Sequence, residues 1–193
     1  MRPYAGLTAA ESVRDALVSS TSGARDITHA VSDIVADALS VLLRRADEWS
    51  EDLDSLISSV AQGAIEGAFE IGAPIAQAAH GATLGIVRAS TRARPDMLRT
   101  LWKSGEALVR HATDLGCDAG AAARGVIEAA LEISRERAID PAVAVVAASK
   151  GALDSAHEAG STAADRVRRV MAVRLDAIRA APRYSEIDGA TDP

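Results

Sequence analysis

Residues Gly63-Ala64-Ile65-Glu66-Gly67-Ala68-Phe69-Glu70-Ile71-Gly72 return as Gly125-Val126-Ile127-Glu128-Ala129-Ala130-Leu131-Glu132-Ile133-Ser134. They return again as Gly151-Ala152-Leu153-Asp154-Ser155-Ala156-His157-Glu158-Ala159-Gly160. Within each copy small residues recur every fourth position, which gathers them on one side of an α-helix. A weaker fourth copy begins at Gly81, eighteen residues after Gly63, and eighteen residues make five turns at about 3.6 per turn. The chain therefore reads as repeated Ala/Gly-rich helices, and no alternating β-branched run offers a strand.

Thr8-Ala9-Ala10-Glu11 has the spacing of a capping box and predicts a first helix from Ala9 to about Ser19, broken by Ser20-Thr21-Ser22-Gly23. From Arg25, Ile27, Val31, Ile34, Ala38 and Leu42 fall three or four apart. Val35 and Leu39 widen that stripe to the width of a core-facing helix, which ends near Trp49. Ser50-Glu51-Asp52 then supplies a cap and an acidic first turn. Pro74 and Pro141 each follow a copy of the repeat and suit the first residue of a new helix, with Asp140 as N-cap. The expected fold is an all-α, Ala/Gly-rich helical bundle of two duplicated helical hairpins with flanking amphipathic helices. Residues 1–50 hold the N-terminal helices, 51–90 the first hairpin, and 91–112 the connection Arg92-Ala93-Arg94-Pro95 with a helix from Met97 to His111. Residues 113–160 form the second hairpin, 161–181 a basic last helix, and 182–193 a polar tail expected to be disordered.

The small residues that define the repeat are Gly63, Gly67, Gly81, Gly85 and Gly125, with the series Ala144, Ala148, Ala152, Ala156, Gly160 and Ala164. A helix face without bulk lets a second backbone approach closely. Glycine inside a helix costs up to about 1 kcal/mol relative to alanine, so a compensating backbone contact is expected. Either these stripes pack the chain's own core, or at least one faces a neighbouring subunit and drives assembly.

Aromatic residues make up only 3% of the chain, while 48% is apolar, much of it Ala. Each buried Ala removes little area from water, so such a chain must pack many helices closely or associate with another surface. The single Cys117 excludes an internal disulfide and a thiolate metal cluster. Its neighbours Asp114 and Asp118 are expected to raise its pKa and leave it a small buried hydrophobe. Net charge is -6; residues 1–87 carry 5 bases and 12 acids, residues 88–193 carry 16 and 15. Global acidity argues against nucleic acid as the main partner. No secretion signal or span-length apolar run is read, which places the protein in the cytoplasm, free or peripheral on a membrane or inclusion.

Candidate chemistry is sparse. Asp26 with His29, and Asp154 with His157, stand one helical turn apart, a spacing commoner for local pairing than for a metal or an oriented base. Glu66, Glu70, Glu128, Glu132 and Glu158 repeat without any Glu-x-x-His, so solvated helix faces explain them better than a di-metal site. His80 and His111 have no partner nearby in sequence and read as structural or exposed. Neither catalytic residues, nor a cofactor, nor a metal is expected. Arg88, Arg92, Arg94, Arg99, Lys103 and Arg110 cluster around the connection. Arg166, Arg168, Arg169 and Arg174 line the last helix and suit an anionic surface, or the acidic first half of this chain or a neighbour.

The expected function is a non-enzymatic structural protein, a homo-oligomer that self-associates or coats a lipid, polymer or protein assembly through small-residue helix faces. A soluble helical adaptor binding a partner protein is one alternative, and an enzyme, disfavoured by the absence of convergent catalytic groups, is the other. In composition, though in no motif, the chain resembles phasins, the Ala-rich amphipathic proteins that coat bacterial polyester granules. That resemblance implies a granule or membrane surface as partner.

Overall fold

The computed structural model describes residues 8–20, 26–49, 52–91 and 96–180, with side chains of 45–49 left aside. Among the described residues the fold is all-α, without strands: α1 (Ala9–Ser20), α2 (Ile27–Trp49), α3 (Leu53–Glu70), α4 (Ile75–Ser90), α5 (Met97–Asp114), α6 (Ala119–Glu136), α7 (Pro141–Ala159) and α8 (Ser161–Ala180). The connection at 92–95, the cap residues Ser50 and Glu51 and the tail at 182–193 lie outside the described residues.

Helices α3 to α7 begin at residues 53, 75, 97, 119 and 141, a constant spacing of 22 residues. The count extends back to Val31 in α2 and Ala9, the first residue of α1, and forward to Ala163 in α8. Taking those residues as position 1, position 5 is Val13, Val35, Ile57, Ala79, Leu101, Ala123, Val145 and Val167, and none is more than 1% exposed. The period is thus a property of the packed fold. The ten-residue copies beginning at Gly63 and Gly151 share a phase, position 11, whereas those at Gly81 and Gly125 share position 7, one helical turn earlier. The helix at 97–114 is a full member of this array and not a connector.

Local chemistry repeats with the same period. Position 22, the N-cap, is Asp52, Pro74, Asp96, Asp118 and Asp140. The carboxylates of Asp96, Asp118 and Asp140 accept from the N–H two residues on, at 3.0, 2.8 and 2.7 Å, satisfying donors that a helix start leaves unpaired. Pro141 is the first residue of α7, while Pro74 sits one place earlier, as the cap of α4. Its missing N–H costs nothing at either place. Thr8 and Glu11 close a reciprocal box: the Thr8 N–H donates to Glu11 Oε2 at 2.7 Å and the Glu11 N–H to Thr8 Oγ1 at 3.3 Å. Those bonds hold the Glu11 carboxyl below its usual pKa.

Three turns share one geometry. Gly72, Gly116 and Ala138 adopt φ of 67°, 74° and 52°, and the next N–H reaches back to Ala68, Ala112 and Ser134 carbonyls at 2.8, 2.8 and 3.0 Å. This is the six-to-one bond of a Schellman end.

Each helix packs on the next and the next but one: α1, α3, α5 and α7 stack in one layer, α2, α4, α6 and α8 in the other. Cross-helix side-chain bonds follow the layers, as in Arg88 to Ser32, Arg99 to Asp54, His80 to Glu132 and Trp102 to Asp154. The result is a solenoid-like stack in which each element contacts only near neighbours.

Candidate functional site

The small residues of the repeat sit at the joints within a layer. A Cβ on Gly63 would overlap the Ala10 carbonyl of α1; one on Gly81 or Gly85 would overlap the Thr28 or Ser32 carbonyl of α2; one on Gly125 would overlap the Ala76 carbonyl of α4. Gly67 abuts Leu17 and the Arg14 carbonyl. Ala144, Ala148, Ala152, Ala156 and Ala164 are fully buried, whereas Gly160 is a turn residue ending α7 with φ 121°. These faces are occupied by helices of the same chain, so another molecule would have to meet a different surface.

The titratable groups are mostly consumed in pairs. Asp26 lies 2.7 Å from His29 Nδ1, and that hydrogen bond holds its carboxyl below the usual range. Asp154 does not meet His157: it accepts from Trp102 Nε1 at 3.1 Å, while His157 contacts Arg168. Glu66 accepts from Gln62, Glu132 meets His80 at 3.0 Å, Glu128 pairs with Arg174, and Glu70 and Glu158 lie at 4.0 and 3.8 Å from Arg14 and Arg110. Among the described residues no group of three or more His, Cys, Asp or Glu could hold a metal ion. Cys117 is half-buried and its thiol pKa is raised, by burial rather than by the acidic neighbours expected to do so.

One arrangement was invisible in the sequence. Ser58 Oγ on α3 lies 3.3 Å from His111 Nε2 on α5, and Asp114 Oδ2 stands 3.9 Å from His111 Nδ1. Burial lowers the His111 pKa and favours the neutral imidazole. A serine, a neutral histidine and a carboxylate have the order of a nucleophile, base and orienter. However, Ser58 lies inside α3, where backbone N–H groups are spent along the helix, leaving no free pair beside its Oγ to hold an oxyanion. The contact couples α3 to α5.

The basic face of α8 is largely neutralised at home. Arg166 lies 3.5 Å from Asp118, Arg174 pairs with Glu128, and Arg168 sits 2.6 Å from Asp165; Arg169 donates to the Asp165 carbonyl at 3.3 Å. Its carboxylate partners on α6 replace the acidic first half that the charge count suggested, because α8 stacks on α6 and α7. Among the described residues no helix is long and apolar enough to cross a membrane.

The uncovered apolar surface is concentrated at the two ends of the stack. Of the exposed large hydrophobic residues among those described, Val41 (39%) is on α2, Val143 and Val146 (45% each) on α7 and Val173 (66%) on α8; Phe69 (56%) lies between. At the α1–α2 end a cleft of about 320 Å³ opens among Val13, Ala16, Ile34, Ala38, Val41 and Leu42, with Asp37 beside them. The ends differ in charge: residues 8–49 hold seven acids against four bases, residues 141–180 four against six. No protein-family model, curated protein or solved structure matches the chain.

Proposed function

We propose that the protein is a non-enzymatic helical scaffold that self-associates, using the uncovered faces at the ends of its stack rather than its small-residue joints. The observation that carries this reading is the placement of Val41, Val143, Val146 and Val173 on the terminal helices. Repeat stacks that end in water close with polar outer faces, and exposed apolar patches mark surfaces that another molecule covers. The self-neutralised arginines of α8 favour this over a coat on an anionic lipid or polymer surface, which draws on unpaired basic charge. The test is sedimentation of the purified chain across a range of concentrations. Its weight-average mass is expected to rise with concentration, and a constant monomer mass throughout would remove the proposal.

A further inference from the structure

Four of the six joints inside the layers are built on glycines of the later helix. The later helix turns positions 7, 11 and 15 to the earlier one: Gly81, Gly85 and Gly125 of α4 and α6, Gly63 and Gly67 of α3, Gly151 of α7. The earlier helix answers with positions 2, 5, 6, 9 and 10, as in Ala10, Val13 and Leu17 of α1, Ala76 and His80 of α4, Trp102 and Glu106 of α5, except that Gly81 meets α2 one turn earlier, at Thr28 and Val31. Positions 4, 8 and 12 close beside them, and in α3 through α7 every one is buried, from Leu56, Val60 and Ala64 to Ala144, Ala148 and Ala152.

Among the described residues the first two helices have no earlier partner. Their equivalents, Ser12 and Ala16 on α1 and Ile34, Ala38 and Leu42 on α2, are all partly exposed, and they line the cleft. At the far end α7 and α8 have no later partner among the described residues, and positions 6 and 10 stand exposed as Val146 and Lys150 on α7, Arg168 and Ala172 on α8. The two open ends are thus the two halves of the joint that the chain makes repeatedly within itself.

We propose, resting on the self-association reading above, that the occupant of the α1–α2 cleft is a second copy of this chain, whose α7–α8 end continues the stack head to tail. In this joint α1 of the incoming copy seats on α7 and α2 on α8, preserving both layers. In the register of the α4–α6 joint, where position 7 meets positions 2 and 6, Asp37 of α2 comes beside Arg168 of α8, which within its own chain pairs with Asp165. Neither Asp37 nor Val41 allows the glycine-close approach, but the chain already contains a joint of that kind. α8 carries Arg169 and Val173 at positions 7 and 11, both left exposed, and it is held on α6 through positions 4 and 12 by Arg166–Asp118 and Arg174–Glu128. A contact between two different surfaces that does not close on itself grows as an open filament.

The test uses the full chain with Val41→Arg, which blocks the head, and Val146→Arg, which blocks the tail, both at exposed positions. Burying an unpaired charge should weaken association about a hundredfold or more in each variant. Each alone should sediment as a monomer, while an equimolar mixture should give a capped dimer, because one intact head then meets one intact tail. Dimers of either variant alone, or a mixture that stays monomeric, overturn the proposal. Wild-type assembly unaffected by both substitutions overturns this geometry and leaves self-association standing; a wild type that never assembles removes both. Melting curves by circular dichroism check that each variant folds. If either does not, Asp37→Arg and Arg168→Asp, each expected to weaken assembly and together to restore it, replace them, and failure of the restoration counts against the joint.

Discussion

Gly151 of α7 lies so close over Trp102 of α5 that a Cβ on the glycine would overlap the tryptophan's carbonyl oxygen. Alanine is the better helix former by up to about 1 kcal/mol, yet here the backbone of α5 occupies the methyl's place and cannot rotate away. We expect Gly151→Ala to destabilise the fold by about 1 to 3 kcal/mol, the range for forced overpacking. Urea unfolding measures it, and a gain in stability would show that the helices are not in backbone contact.

Ala152, the neighbouring position, is fully buried and its N–H group stands near Gly105 of α5. Ala152→Leu should lower the melting temperature, by a similar overpacking cost of about 1 to 3 kcal/mol, without altering particle mass. The same change at exposed Glu158 should do neither. A smaller particle at unchanged melting temperature would move this stripe from the core to a subunit contact.

Ala138 occupies, at φ 52°, the turn position that glycine fills at Gly72 and Gly116. Left-handed backbone costs a residue with a Cβ about 1 to 2 kcal/mol, partly offset by the greater entropy glycine loses on folding. Ala138→Gly should therefore stabilise by about 0.5 to 1 kcal/mol, and Gly116→Ala should destabilise by a comparable amount. Thermal denaturation of the two variants reads both signs, and a loss of stability in Ala138→Gly would contradict the shared geometry.

His111 makes stability depend on pH. Burial puts its folded-state pKa below the ordinary 6.5, so as pH falls the unfolded chain takes up this proton first. The contribution is intact above 6.5 and is lost progressively as pH falls toward the folded-state value. His111→Gln, which can still bond Ser58, should show a shallower fall in stability between pH 7.5 and 5.5 than the wild type. Equal slopes in the two proteins would show that His111 is not the group responsible.

Helix content and caps were legible because their signals are local. Thr8 with Glu11, and Asp140 before Pro141, identify their helix starts without reference to the rest of the chain. The 22-residue period was not legible, because position 5 changes size from helix to helix, from Ile57 and Leu101 to Ala79 and Ala123. What is constant there is burial, not identity. The ten-residue motif also misled: its copies at Gly63 and Gly125 occupy different phases, so matching them suggested two hairpins and a connector. Pairs such as Ser58 with His111, or His80 with Glu132, lie more than fifty residues apart and follow from no local pattern. They require knowing that layers join helix n to helix n+2.

The constant period makes the length of this molecule adjustable. Excising residues 97–140 would join Asp96 directly to Pro141, reproducing the Asp-Pro start that α7 already has. Helix α7 would then land on α3 in the layer it came from. Removing a single 22-residue unit would instead exchange the two layers for everything downstream. The unit of permissible gain or loss is therefore the pair of helices, and a lineage carrying this architecture could change its reach by whole pairs, about 8 to 10 Å at a time, with small side chains re-fitted at the new joint, where Ala61 would stand in for Gly105 against α7.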